Sequence, residues 1–158
     1  MNTPLAQEKK IVLFTLDQPR YALYLSAVER VVRAVEITPL PKAPEIVLGV
    51  LNMQGKVLPV LDIRKRFRLP VRQINTDDRL IIARTSRRPV ALVVDSVEGI
   101  RELTENQMVD AKQALPFAEY IKGVATLDDN LVLIHDIDQF LSLDEERDLK
   151  ASMAQGVE

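Results

Sequence analysis

Apolar residues in this chain gather into short β-branched and aromatic runs separated by turn-forming residues, the pattern of strands and hairpins rather than of long helices. Ile11 to Leu16 and Tyr21 to Leu25 flank Asp17-Gln18-Pro19-Arg20 and predict one hairpin. Leu80 to Arg84 and Val90 to Val94, turned through Ser86-Arg87-Arg88-Pro89, predict another. Val47 to Met53 and Lys56 to Leu61 flank Gln54-Gly55, where glycine supplies a positive φ for a tight turn. Between the first and third of these units, Thr38 to Pro44 holds three prolines, which disfavour helix and remove ladder donors, so a stiff connector is expected.

The pattern then repeats. EIVLGVLNMQGKVLPVLDIRKRF from Glu45 and EYIKGVATLDDNLVLIHDIDQFL from Glu119 align without gaps 74 residues apart, with Glu45/Glu119, Gly49/Gly123, Val50/Val124, Asp62/Asp136 and Ile63/Ile137 identical. In the second copy Asp128-Asp129-Asn130 takes the place of the Gln54-Gly55 turn. Upstream, KIVLFTLDQPRYALYLSAVERV from Lys10 aligns with RLIIARTSRRPVALVVDSVEGI from Arg79, with Ala22/Ala91, Leu23/Leu92, Val28/Val97 and Glu29/Glu98 identical. Each half thus reads as the same structural unit. Two copies are too few for a solenoid, so two small β-barrels packed face to face are expected.

Each second segment ends in an aspartate, Asp62 or Asp136, followed by a short amphipathic stretch, Ile63 to Phe67 or Ile137 to Leu141. An aspartate there caps a helix N-terminus by accepting a backbone N–H bond, worth about 1 kcal/mol. Thr104 to Gln107 and Ser142 to Glu145 carry capping-box spacing, and the second predicts a C-terminal helix reaching toward Met153 and ending before Gly156. Residues 1–10 read as a flexible polar lead-in, residues 11–143 as the double barrel, and residues 144–158 as the C-terminal helix or tail.

Composition narrows the function classes. A chain of 158 residues is long enough for a shared core, burying roughly 68–70% of its unfolded surface. Its net charge of −2 carries no bulk signal for nucleic acid, and the absence of cysteine excludes disulfides, thiolate metal sites and a thiol nucleophile. The N-terminus lacks the apolar core of a signal peptide and no apolar run spans a bilayer, so a soluble cytoplasmic protein is expected.

The candidate chemistry is sparse. Asp62 and Asp136 occupy equivalent places, which invites an acid–base dyad, but each precedes a helical stretch rather than the bare tight loop a dyad needs, and capping accounts for them. His135 is the only histidine and aligns with Leu61, which points to a partly buried side chain; with no second histidine and no cysteine, a metal site has no ligand set. No phosphate-cradling glycine loop or nucleophile elbow is present. The run Arg64, Lys65, Arg66, Arg68 and Arg72 contains no acid, and Arg84, Arg87 and Arg88 extend it if the surfaces adjoin. It reads as a solvated helix face or a dock for an acidic partner, with a nucleic-acid surface as the rival. Phe67 aligns with Leu141, so it should point inward rather than serve as a stacking platform.

Taken together and in order, VLFTLDQPRYAL, VLGVLNMQGKVLPVLDIRKRF, ALVVDSVEGI, LTENQM and YIKGVATLDDNLVLIHDIDQFL resemble the CheW-type coupling proteins, adaptors that link bacterial chemoreceptors to the histidine kinase CheA. The resemblance runs from about Ile11 to Leu143. It implies a mainly β fold of two pseudo-symmetric, five-stranded SH3-like barrels around a shared core, with short helices and a C-terminal helix. It further implies no catalytic activity and no cofactor, with two partners: the regulatory domain of a CheA-type kinase and the cytoplasmic tip of methyl-accepting chemoreceptors. Nucleic acid and direct membrane insertion are not implied. By position the receptor-facing set comprises Val28, Arg30, Gly49, Gln54 and Ile100. The family reads N-x-R-G where this chain has Asn52-Met53-Gln54-Gly55, and an acid where Arg30 stands, so the opposite-charge pair usual there does not form. A CheW-like scaffold of a pathway that does not steer flagella is the alternative.

Overall fold

The computed structural model describes residues 9–109 and 121–156. Most of the expected flexible lead-in, residues 1–8, lies outside them, as does Glu119 at the start of the second repeat copy. Eleven strands are described: β1 (Lys10–Thr15), β2 (Arg20–Tyr24), β3 (Val28–Arg33), β4 (Val47–Met53), β5 (Lys56–Leu61), β6 (Arg79–Arg84), β7 (Pro89–Val94), β8 (Ser96–Glu102), β9 (Met108–Val109), β10 (Ile121–Leu127) and β11 (Asn130–His135). They form two sheets, one ordered β8-β1-β2-β11-β10-β9 and the other β3-β6-β7-β5-β4.

These orders correct the expectation that each half of the sequence is its own unit. In the repeat β1, β2, β3, β4 and β5 correspond to β6, β7, β8, β10 and β11. Yet the β1–β2 hairpin lies between β8 and the β10–β11 hairpin of the second copy, while β6–β7 lies between β3 and the β4–β5 hairpin of the first. Each sheet is therefore a composite in which one copy supplies a hairpin and the other supplies the rest. Each sheet also curls back on itself. The chain leaving β8 passes through the 3-10 turn η2 (Glu105–Gln107) into β9, which pairs with the opposite edge strand β10. The chain leaving β3 does the same with less, as Thr38 bridges to Val50 of β4. One barrel thus has the expected five strands and the other gains a two-residue sixth.

Burial follows from this interlocking. Ile11, Leu13, Ala22 and Ile134 fill one barrel, and Leu58, Val60, Leu80, Ile82 and Ala91 fill the other. Between them lies a third cluster to which Phe14, Leu23, Ile81, Leu92 and Phe140 contribute. Successive residues of β1, β2, β6 and β7 point alternately into their own barrel and into this shared core, which is why these strands read as continuous apolar runs.

Local geometry is repeated as closely as sequence. The β4–β5 turn holds Gln54 and Gly55 at φ 54 and 86, and the β10–β11 turn holds Asp128 and Asp129 at φ 52 and 65, so both are two-residue turns of the I′ kind whose twist matches the flanking strands. The ladder slips at Glu29 in β3 and at Glu98 in β8, an identical residue at an equivalent bulge.

Asp62 caps α1 (Ile63–Arg66) by accepting the Arg64 N–H at 3.2 Å, and Asp136 caps the 3-10 turn η3 (Ile137–Gln139) by accepting the Asp138 N–H at 3.0 Å. The last helix, α2 (Leu143–Gly156), opens on a reciprocal capping box: the Glu145 N–H reaches Ser142 Oγ at 3.1 Å and the Ser142 N–H reaches Glu145 Oε1 at 2.8 Å. Acidic residues in its first turn complement the helix dipole. It runs through Gly156 rather than ending before it. It is anchored into the body, with Leu149 fully buried in the shared core and Ser152 Oγ donating to the Lys42 carbonyl at 2.9 Å.

Candidate partner interface

The five candidate residues take up different positions. Arg30 and Gln54 come together on the rim of a pocket of about 140 Å³ between β3, β6 and the β4–β5 hairpin. Ile100 stands 59% exposed on β8, in the other sheet. Val28 is half-buried, pairs with Ala83 and packs on the shared core. Gly49 is buried, and a Cβ there would come within 2.2 Å of the Thr38 carbonyl oxygen, so its hydrogen is what lets the connector close the barrel. Two of the five therefore share a surface site, one is exposed elsewhere, one is half-buried and one is buried.

Lys56, Arg84 and Met53 also line that pocket, over a floor that includes buried Leu58 and Ile82. Sequence reasoning named Arg84 only as an extension of the basic run and missed Met53 and Lys56, although the I′ turn at Gln54-Gly55 is a signal that these two face each other across the hairpin. Arg84 is 3.8 Å from Glu29.

The basic run is a solvated face only in part: Lys65, Arg68, Arg84 and Arg87 are exposed, whereas Arg64, Arg66, Arg72 and Arg88 turn to carboxylates of the protein itself. Arg64 is buried, 2.7 Å from both Asp17 and Asp95, and also donates to the Pro70 carbonyl at 3.1 Å. Arg72 bonds Asp78 at 2.7 Å and Asp95 at 2.6 Å, and Arg66 bonds Glu145 at 2.7 Å. Arg88 reaches Glu146 at 2.7 Å and Lys65 the Glu45 carbonyl at 2.8 Å. Burial pushes the Asp95 carboxyl up, but the bonds from Arg64, the Asp17 N–H and Arg72 outweigh it and hold it below the usual carboxylate range. Charge spent on these carboxylates is not available for phosphates, which weakens the nucleic-acid reading for Arg64, Arg66, Arg72 and Arg88.

His135 is buried, with Nδ1 3.1 Å from the Leu133 carbonyl and its ring 4.5 Å from that of Phe67. Burial pushes its pKa down to about 4, so it is neutral at physiological pH. Phe67 stacks on Tyr21 with ring centroids 5.2 Å apart and faces inward as expected. Among the described residues no cluster of three or more histidine, cysteine or acidic side chains is placed to hold a metal, and no helix is long and apolar enough to cross a membrane.

Comparison with known proteins bears on the whole of this architecture. The CheW-like domain model matches residues 10–145. The chain belongs to the CheW-like domain family. It is 30% identical to the chemotaxis protein CheW of Thermotoga maritima over 85% of this chain and 89% of that one, and 27% identical to that of Klebsiella aerogenes over 87% and 84%. The crystal structure of the scaffolding protein TtCheW from Thermoanaerobacter tengcongensis superposes with a TM-score of 0.78 at 31% identity, covering 87% of this chain and 95% of that one. Protein FrzA of Myxococcus xanthus is 31% identical over 61% of this chain and 60% of its own length. The double barrel is thus the CheW fold, and the family match ends inside the first turn of α2, whose later residues nevertheless enter the core.

Proposed function

We propose that this protein is a non-catalytic adaptor that couples chemoreceptors to a CheA-type histidine kinase in a bacterial chemosensory complex. It meets the kinase's regulatory domain and the cytoplasmic tip of methyl-accepting receptors, in the cytoplasm at receptor arrays and without inserting into the membrane or binding nucleic acid. The observation that carries this reading is likeness to a scaffolding protein over nearly the whole chain. Supporting it, the groups that could do chemistry are engaged in structure: both repeat aspartates cap helical turns and the lone histidine is buried and neutral. Val28, Arg30, Gly49, Gln54 and Ile100 are the proposed receptor-facing set, Arg30, Gln54 and Ile100 by contact and Val28 and Gly49 by shaping the strands beneath.

The mechanism is assembly. Because the two barrels share one packed apolar core and the chain passes between them twice, after β2 and after β7, they cannot hinge independently without opening buried contacts. A receptor held on one face and a kinase domain on another are therefore kept in fixed relative geometry, and a change in the receptor reaches the kinase. Calorimetric titration against the regulatory domain of the same organism's CheA-type kinase tests this, with saturable one-to-one binding expected. No binding to a correctly folded domain, or turnover of a substrate by the purified chain, would refute it. A scaffold of a pathway that does not steer flagella is the second reading, favoured by the altered charges at Arg30 and Gln54; selective binding of receptors outside the flagellar system distinguishes it.

A further inference from the structure

The pocket that brings Arg30 and Gln54 together has a rim and a floor of opposite character. Leu58 and Ile82 are buried at its base, while Arg30, Lys56 and Arg84 stand exposed around its mouth. Its volume of about 140 Å³ is that of one large side chain and lies below the roughly 300 Å³ at which small-molecule sites begin. Such a pocket seats an anchor residue rather than a cofactor.

Its charge is also unspent. Three cations face the single carboxylate of Glu29, which lies 3.8 Å from Arg84 with both side chains well exposed, a pair of little strength. Among the described residues the Arg30 and Lys56 side chains make no hydrogen bond or ion pair. Arg64, Arg66, Arg72 and Arg88 by contrast each hold a carboxylate within 2.7 Å. A chain of net charge −2 thus keeps free cations around an apolar hole.

We propose that this pocket takes an apolar side chain flanked by carboxylates on the receptor-facing partner, so that Arg30 and Lys56 select acidic segments. The inference rests on the adaptor reading and adds to it the charge of the segment recognised. The full-length protein, its Arg30→Glu/Lys56→Glu variant and an Arg33→Glu control, exposed on the same strand but outside the pocket, are titrated against the receptor's cytoplasmic tip and the kinase regulatory domain, at low and high salt. The double variant should lose about tenfold or more in affinity for the tip, less at high salt, while Arg33→Glu stays within about twofold and kinase binding is unchanged. Replacing the tip's acidic residues with lysine should restore binding to the double variant.

If the wild type binds both partners and the double variant binds the tip within about twofold of it, the pocket assignment fails and the adaptor reading stands. A loss confined to the kinase domain moves the surface to the other partner and overturns the assignment. Binding of a single-stranded DNA oligonucleotide that the double variant abolishes would assign these cations to nucleic acid instead. A wild type that binds neither protein removes the adaptor reading, and this inference with it.

Discussion

The two copies of the repeat meet the two barrels at equivalent junctions, yet opposite chemistry holds each junction together. Arg64 follows the Asp62 cap and reaches Asp17 in the β1–β2 loop at 2.7 Å. Its equivalent after the Asp136 cap is Asp138, which accepts the Ser86 N–H in the β6–β7 loop, also at 2.7 Å. Residues 17 and 86 are themselves equivalent, so the same contact between a cap and the neighbouring barrel's hairpin is made twice, once by a buried cation and once by an exposed carboxylate. Duplication preserved where the barrels touch and left the chemistry of the touch free to change.

The buried version should be far the more costly to break. Arg64→Met strips the partner from Asp17 and from Asp95, which also takes bonds from Arg72 and the Asp17 N–H. A loss of about 3 kcal/mol is expected in urea unfolding, because the buried Arg64 gives up charge-assisted bonds to two carboxylates and the Pro70 carbonyl at once. Asp138→Ala removes one exposed hydrogen bond and should cost about 1 kcal/mol or less. Equal costs would mean that solvent reaches Arg64 and that the two junctions are energetically alike.

The repeat glycines give the next contrast. A Cβ on Gly49 would meet the Thr38 backbone oxygen at 2.2 Å, whereas one on Gly123 would meet the Tyr24 hydroxyl, the end of a side chain, at 2.6 Å. Gly49→Ala must therefore move the connector and should cost about 3 kcal/mol, near the upper end of overpacking penalties. Gly123→Ala should cost clearly less and be partly rescued by Tyr24→Phe. Similar losses at both sites, with no rescue, would show that the close approach at Gly49 is not what holds the connector.

How much could be read in advance depended on whether a feature was local. The hairpins and both caps followed from apolar runs, turn residues and aspartates within a few positions, and β4 and β5 carry the expected limits. Strands β3 and β8 were not located from the residues because they are edge strands: VERVVR and SVEGIRE mix charge with apolar residues, and the bulges at Glu29 and Glu98 break the alternation that marks a strand. The exchange of hairpins was hidden for another reason, since a repeat reports that two segments share a shape and not which copy each pairs with. Arg64 read as a solvated charge because the acids that bury it lie 47 and 31 residues away. Of the interface, Arg30 and Gln54 were found through family resemblance, whereas Lys56, and the place of Arg84 beside them, emerge only when three strands are brought to one barrel end.

His135 and its counterpart Leu61 sharpen the comparison through pH. With a pKa near 4 in the folded protein against about 6.5 unfolded, His135 takes up a proton in the unfolded chain first. Its stabilising effect is complete above about pH 6.5 and is lost as pH falls toward 4, about 2 kcal/mol of it between pH 7 and 5. Asp95, held low, adds its own loss only below about pH 4, so the two windows separate. His135→Leu should flatten the stability profile between pH 7 and 5; an unchanged slope would place the titrating group elsewhere.

The smallest effect concerns the two turns, and it bears most directly on function. Both have two residues at positive φ, but one carries Gln54 before Gly55 and the other Asp128 before Asp129. Asparagine is the favoured first residue of such a turn and glycine the favoured second, so Gln54→Asn and Asp129→Gly should each stabilise the protein by about 0.5 kcal/mol. Asp129 lies on no surface proposed to bind a partner, and its substitution should leave binding untouched. Gln54 lies on the rim of the Arg30 pocket, so Gln54→Asn shortens a side chain there while improving the turn. A gain in thermal stability together with weaker binding of the receptor tip would show that glutamine is kept at a strained position for its contact, whereas a gain in stability with binding unchanged would leave Gln54 as turn alone and confine the recognition surface to the cations around it.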